Sequence, residues 1–336
     1  MFSRRVTLQF LAVVLAACLS GCSGETHSNE DAADSKSPRL DQVSLVLNWY
    51  PEAEHGGFYA ALVHGYYREA GLDVQIIPGG PNAPVIQQVA GRTMTFGIEN
   101  ADRVLLGRAA EADVVAVMAP IQTSPRCLMV HRRSGITRID DLKNVTLALA
   151  GSAPWAAYLQ KHATLENVQI VPYAGNVAQF LADENFAQQA YVFSEPFVAE
   201  QQGGDPHCLM LSDLGYNPYT SVLITHAETA RSSPELVRKM VTASIRGWQS
   251  YLEHPDETNR HIGGINPQMG REILDYGVRA LKPLCVDRTM PMKHLGRMTA
   301  ERWKTLAEQL VEVRAIKPED AHPEQAFTTE FQPHGD

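Results

Sequence analysis

Apolar residues in this chain fall into short runs separated by amphipathic stretches, and that alternation predicts an α/β protein. Val43, Leu45, Val46 and Leu47 form a run that reads as a buried strand. It ends in Asn48-Trp49-Tyr50-Pro51-Glu52-Ala53-Glu54-His55, and Pro51 with the Gly56-Gly57 pair breaks the chain before a helix. From His55 to Ala70, the residues Phe58, Leu62, Tyr66 and Ala70 recur every four positions, and Gly71 supplies a stop. Leu72 to Ile77 alternates and meets Pro78-Gly79-Gly80, a strand and turn. A helix follows over Ala83 to Gly91, a strand over Met94 to Ile98, a helix through Leu105, Leu106 and Ala109, and a strand over Val114 to Met118. Close strand–helix alternation of this kind predicts a mostly parallel sheet with both faces covered.

The pattern then restarts. Strands are expected over Arg126 to Val130, Val145 to Leu149, Val168 to Val171 and Ala190 to Phe193. Helices are expected near Ile139, from Pro154 to His162 and from Asn176 to Ala182. Ser221 to Thr225 reads as a further strand. Helices follow from Ser233-Pro234-Glu235 to His254, over Asn266 to Leu281 and over Thr299 to Val313. A second α/β unit inserted into the first, with two strands crossing between them, predicts two lobes and a hinge. Residues 43–128 with 224–330 are assigned to lobe 1, and residues 129–223 to lobe 2. Lobes joined in this way close over a ligand in the cleft between them.

Composition narrows the picture. The chain has 336 residues, is 44% hydrophobic and carries a formal net charge of -9, so nothing in it suggests a nucleic-acid footprint. Ser3-Arg4-Arg5, the apolar stretch Val6 to Leu19 and the tetrapeptide Leu19-Ser20-Gly21-Cys22 resemble a bacterial lipoprotein signal. Residues 1–21 are therefore expected to be cleaved, leaving Cys22 as the lipidation site that anchors the chain to a membrane. Residues 22–42 are polar and acidic and read as a disordered tether. Cys127, Cys208 and Cys285 remain, an odd set at spacings unlike a metal knuckle, compatible with one disulfide and one free thiol. The histidines show no metal-ligand spacing, and no phosphate loop, dinucleotide fingerprint or nucleophile elbow is present. Neither a metal nor a cofactor is expected.

In open α/β sheets, ligands sit beyond the carboxyl ends of strands. The candidates are the residues found there. Trp49, Tyr50, Tyr59, Trp155 and Tyr191 offer stacking faces. Asn48, Glu99, Asn100 and Glu195 offer hydrogen-bond acceptors, and His55 stands at a helix start. The plainer alternatives make Trp49 and Tyr50 core caps, Glu52 and Glu54 solvated turn residues, Trp155 a packing residue and His55 a loop-ordering residue. Arg103, beside Asp102, is the arginine placed to meet an anion.

Leu47-Asn48-Trp49-Tyr50-Pro51 with His55, Gly65-Tyr66-Tyr67-Arg68-Glu69-Ala70-Gly71-Leu72, and Phe96-Gly97-Ile98 resemble the solute-binding proteins of bacterial importers for thiamine pyrimidine precursors. The same superfamily includes the eukaryotic thiamine-pyrimidine synthase and sulfonate binders. The resemblance implies a type II periplasmic binding protein fold, with a small heterocyclic ligand gripped between lobes. It also implies an ABC permease partner, a monomer, and a place in the periplasm or on the cell surface. Riboflavin and alkanesulfonates such as taurine are the alternative ligands, and a synthase or a ligand-sensing domain the alternative classes. The synthase depends on a lysine and a histidine near the third strand, where this chain reads Glu99-Asn100-Ala101-Asp102-Arg103. It also carries a cysteine-rich run, where this chain reads Leu214 to Thr220 without a cysteine. The resemblance therefore implies a binding protein, not an enzyme.

Overall fold

A computed structural model describes residues 39–332. The expected signal (1–21), the lipid site at Cys22 and most of the tether lie outside the described residues. Strand β1 (Asp41–Val46) pairs in parallel with β2 (Leu72–Ile77) along its full length. The expected tether therefore ends earlier than 42. Asp41 and Gln42 already belong to the strand, but they sit exposed at its end and carry no apolar signal. Between these strands lie α1 (Gly56–Val63) and α2 (Tyr66–Glu69). The single helix expected from His55 to Ala70 is broken at Gly65, whose φ of 76° is left-handed and open to glycine without strain.

The chain continues through α3 (Val85–Ala90), β3 (Phe96–Glu99), α4 (Ala101–Ala109) and β4 (Val114–Met118). It then crosses over residues 119–125 into a second sheet. That sheet is built from β5 (Arg126–His131), β6 (Thr146–Leu149), α5 (Pro154–His162), β7 (Gln169–Pro172), α6 (Ala178–Ala182), β8 (Phe186–Tyr191), α7 (Glu195–Gln201) and β9 (Pro206–Met210). Residues 211–221 cross back to β10 (Val222–His226). After it come α8 (Ala227–Ser232), α9 (Pro234–Glu253), α10 (Asp256–Ile265), α11 (Arg271–Cys285), α12 (Ala300–Glu312) and α13 (Pro323–Ala326).

Two five-stranded sheets result, ordered β2-β1-β3-β10-β4 and β7-β6-β8-β5-β9. Each has the same plan: one strand pairs antiparallel with both neighbours, β10 in the first sheet and β5 in the second. The other four strands of each sheet run the same way, as expected of a mostly parallel sheet, and one strand in each reverses. The strand that reverses in each sheet is the one delivered by a crossing segment, and hydrophobic periodicity carries no information on strand direction. For the same reason the expected lobe borders move, because Arg126–Leu128 belong to the second sheet and Val222–Leu223 to the first. The strand expected at 190–193 lies instead at Phe186–Tyr191. Its interior Gln188 and Gln189 hid it, although Gln188 is buried and Gln189 Oε1 accepts from the Ala150 N–H at 2.6 Å. Strand β9 gave no signal. It is an edge strand opening on Pro206, a position where the missing N–H costs nothing.

The two crossings are zipped together. Thr220 N–H donates to Ile121 O at 3.2 Å, and Ser124 N–H donates to Asn217 Oδ1 at 2.8 Å. Arg302 of α12 grips both, donating from Nη2 to Gln122 O at 2.6 Å and to Asn217 O at 2.9 Å while its guanidinium lies 3.8 Å over the Tyr219 ring. Helix α12 also reaches α5 of the second sheet, with Lys161 Nζ 3.0 Å from Glu312 Oε1, and the second crossing, with Gln309 Nε2 donating to Gly215 O at 2.9 Å. The expected assignment of all of 224–330 to lobe 1 therefore understates this helix, which braces both lobes.

Beneath the first sheet, α1 crosses α9 at close range. A Cβ on Gly247 would lie 2.2 Å from Gly57 O and 2.7 Å from Ala61 N, contacts that no side-chain rotation relieves. Gly247→Ala is expected to cost about 1–3 kcal/mol, measured as a lowered denaturation midpoint. Arg302→Ala strands two carbonyls at the crossings and is expected to cost roughly 1.5–3 kcal/mol, with proteolysis accelerating within residues 119–125 and 211–221.

Candidate functional site

The carboxyl end of β1 delivers Leu47 and Asn48 to the cleft face of the first sheet, and the turn that follows places a 3₁₀ segment, Ala53–His55, ahead of α1. Glu52, Glu54 and His55 are all buried there, which overturns the reading of Glu52 and Glu54 as solvated turn residues. His55 Nε2 donates to Asn48 Oδ1 at 3.0 Å and lies 3.4 Å from Glu54 Oε1. Burial pulls its pKa down to about 3, so it is a neutral ring that fixes the Asn48 amide. Trp49 and Tyr50 are not core caps. They are 40% and 47% exposed and meet edge to face at 5.4 Å between centroids. The Gly79 N–H donates to Trp49 O at 3.0 Å, and a Cβ on Gly79 would fall 2.0 Å from Leu47 O, so only glycine allows the β2–α3 loop to hold this turn so closely.

Strand β3 ends in Glu99 and Asn100, directly opposite the start of β10, where Val222 pairs with Glu99. Glu99 Oε1 accepts from Asn100 N–H at 2.9 Å, and Asn100 Oδ1 accepts from Ser221 N–H at 3.4 Å. Ser221 is fully buried with a φ of 52°, a left-handed conformation that a non-glycine residue rarely adopts.

The second lobe answers with Arg126, the first residue of β5. Its guanidinium lies 4.7 Å from the Trp155 ring and 4.7 Å from the Tyr191 ring, and Nη2 donates to Tyr191 Oη at 2.9 Å. Tyr191 Oη also accepts from Asn100 Nδ2 at 3.3 Å, a hydrogen bond from the first sheet to the second. Glu195, at the start of α7, takes Tyr191 N–H on Oε2 at 2.8 Å and Tyr173 O–H on Oε1 at 3.1 Å. It is therefore not a free turn carboxylate.

Electrostatics join these groups. Burial raises the Glu54 pKa to about 8, with Glu99 adding to the rise and Arg126 opposing it. Burial raises Glu99 to about 7. Glu52 is likewise raised, first by burial and then by Glu54 and Glu195. The Ser221 hydroxyl faces the Glu54 carboxyl and partly offsets the rise, and the Tyr50 backbone does the same for the fall at His55, so these buried polar groups answer one another at close range. Together they form a proton-holding, acceptor-rich floor beside one aromatic-clamped cation.

The structure therefore brings together Asn48, His55, Glu99, Asn100, Trp155, Tyr191 and Glu195 from the sequence-derived set, with Trp49 and Tyr50 exposed beside them. Tyr59 is different. It is buried inside the first lobe, 5.6 Å from the His261 ring of α10, because its position on α1 faces that helix. Sequence reasoning missed Arg126, Glu54 and Ser221. Arg126 opens an expected strand immediately after a Pro-containing crossing, a position at a strand end that could have drawn notice. Arg103, the arginine first suggested for an anion, is exposed on α4.

The family described as NMT1/THI5 like matches residues 52–258. The chain belongs to the NMT1/THI5-like family. A riboflavin-binding protein, RibY, of Chloroflexus aurantiacus is 25% identical over 365 aligned positions, covering 99% of this chain and 98% of its own. A formylaminopyrimidine-binding protein of Halalkalibacterium halodurans is 26% identical over 266 positions, covering 75% and 77%. A 4-amino-5-hydroxymethyl-2-methylpyrimidine phosphate synthase of Saccharomyces cerevisiae is 23% identical, covering 69% and 74%, so both binding proteins and enzymes are relatives of this NMT1/THI5-like chain. Among solved structures, the periplasmic aliphatic sulphonate binding protein SsuA from Escherichia coli superposes with a TM-score of 0.66 at 15% identity over 89% of this chain and 95% of its own. The fold is that of the periplasmic binding proteins.

The buried groups set opposing pH slopes in this member of the family. Glu54 and Glu99 keep their protons to about pH 8 and about pH 7 when folded, against an ordinary 4.5, so the folded state binds the extra protons and stability falls as pH rises through that range. His55 is neutral when folded down to about pH 3 but charges below 6.5 when unfolded, so its effect rises with pH and is complete by 6.5. Above that value only the carboxyls act. The melting temperature of the ligand-free protein is expected to fall by roughly 2–4 °C between about pH 6.5 and 8, and Glu54→Gln should flatten that slope in a calorimetric series.

Proposed function

We propose that this protein is the lipid-anchored, periplasmic or surface-held solute-binding component of an ABC importer, and that its cleft takes a thiamine pyrimidine precursor of the formylaminopyrimidine or hydroxymethylpyrimidine type. One observation carries the reading: Glu54 is buried beside Glu99 and Ser221 at the strand ends of the first lobe, where burial raises its pKa to about 8 so that it can hold a proton near neutrality. A 4-aminopyrimidine presents a ring nitrogen that accepts and an exocyclic amino group that donates. A carboxylic acid meets both at once, giving its O–H to the ring nitrogen and taking an N–H on its carbonyl oxygen. Asn48, oriented by His55, and Asn100 offer further amide partners on the same floor. Trp49 or Tyr50, both exposed, supplies a stacking face for the flat ring.

A sulfonate fits this floor poorly. Its oxygens need donors, whereas Arg126 is already engaged by the Trp155 and Tyr191 rings and by the Tyr191 hydroxyl, and faces carboxyl groups. Riboflavin is the second reading, because the riboflavin-binding relative aligns along nearly the whole chain. An enzyme reading lacks residues to support it, since Glu99 to Arg103 offers neither lysine nor histidine.

Titration calorimetry against formylaminopyrimidine, hydroxymethylpyrimidine, riboflavin and taurine tests the proposal. Binding of the pyrimidines is expected. Glu54→Gln, which cannot present an O–H, should weaken it tenfold or more, about 1.4 kcal/mol. Tyr59→Phe should leave it within about twofold, or roughly 0.4 kcal/mol. Binding of riboflavin alone would transfer the site to a flavin, and binding of taurine alone would sink the heterocycle reading.

A further inference from the structure

On the face of the second sheet that packs against α6 and α7, four sulfur-bearing residues meet across the β5–β9 ladder. Cys127 pairs with Met210 and Met129 with Cys208, so all four side chains project from one face of these antiparallel strands. Cys127 and Met129 are fully buried; Cys208 and Met210 are half-buried. The two thiols lie diagonally across the ladder with their sulfurs 2.8 Å apart. A tetrahedral metal bound by both at about 2.3 Å would hold them roughly 3.8 Å apart, so this spacing suits a covalent bond better than a chelated ion.

We propose that Cys127 and Cys208 form a reversible cross-strand disulfide, a redox site in the second lobe that leaves Cys285 as a free thiol. Cys285 is buried at the end of α11 in the first lobe's core, out of the pair's reach. The half-buried Cys208 is the entry point. Its thiolate attacks one sulfur of a donor disulfide such as oxidised glutathione, forming a mixed disulfide and releasing one donor thiolate. Cys127 then loses its proton and attacks the Cys208 sulfur, releasing the second donor thiolate. The two protein thiols are oxidised by two electrons, the donor disulfide is reduced, and the two protons end on the two donor thiols. Burial raises the Cys127 thiol well above its ordinary range, consistent with Cys208 attacking first.

The bond has a structural consequence. Cys127 follows Arg126 directly, just beyond the first crossing, and β9 ends at Met210, where the second crossing begins. A bridge here pins the edge strand to β5 and ties the second-lobe ends of both crossings, closing a loop over an 81-residue separation. The proposal is independent of which solute the cleft takes.

The test equilibrates the purified full-length chain with reduced and oxidised glutathione, quenches with an alkylating agent and maps the peptides. The expected result is loss of two hydrogens, a peptide bearing Cys127 linked to one bearing Cys208, and an alkylated Cys285. Oxidation should also raise the melting temperature by about 5 °C. Cys208→Ser, at the half-buried position, should abolish both changes, while Cys127→Ser should accumulate glutathione on Cys208. Alkylation of both cysteines under oxidising conditions would overturn the proposal. So would linkage through Cys285, or a glutathione adduct on wild-type Cys208 that never resolves.

Discussion

Burying carboxyl groups is expensive unless they keep their protons or find a cation, and the cleft of this protein does both. Glu52, Glu54 and Glu99 are buried at the strand ends of the first lobe; Arg103 of the same lobe opposes the rise at Glu99, and Arg126 arrives from the second. Its charge opposes the rise in the Glu54 pKa, and its guanidinium lies 4.7 Å from the Trp155 ring and 4.7 Å from the Tyr191 ring. Because Glu54 and Arg126 belong to different lobes, the electrostatics of the site depend on how the lobes are placed. A solute that supplies its own donors competes for the same carboxyl groups. On the proposed reading, lobe position and solute binding would be coupled through one local balance of charge.

The double crossing makes this arrangement workable. Each sheet receives its antiparallel strand from the other lobe's side of the chain, so Arg126, which opens β5, and Ser221, the last residue before β10, adjoin the hinge directly. Arg302 ties both crossings to α12, and α12 braces helices of both lobes. The hinge is therefore a short, hydrogen-bonded pair of segments rather than a loose linker. A change in lobe angle has to pass through a few residues adjoining the site.

Membership of the NMT1/THI5-like family does not choose between ligands, because relatives at similar identity are described as binding riboflavin or formylaminopyrimidine, and others as synthases. The choice rests on side chains. On the proposed reading, carboxyl groups that hold protons near neutrality would favour a partner offering both a lone pair and an N–H, and an arginine engaged by two rings would disfavour an anion.

The sequence by itself determined the strand–helix alternation, the division into two α/β units, the motif-bearing turn after β1 and most of the residues that gather at the cleft. These follow from local periodicity, from Gly and Pro positions and from the rule that ligands sit at strand ends. Strand direction, the true lobe borders, the edge strand β9 and the Gln-bearing β8 were decided only by the tertiary structure, since each depends on which neighbour a strand finds. The same holds for the site. Glu54 reads as a surface residue until Arg126 and Glu99 enclose it, Tyr59 reads as a pocket residue until α10 covers it, and Cys127 and Cys208 become a pair only when β5 and β9 align. Burial and charge are properties of neighbours, and neighbours distant in the chain are set by the fold.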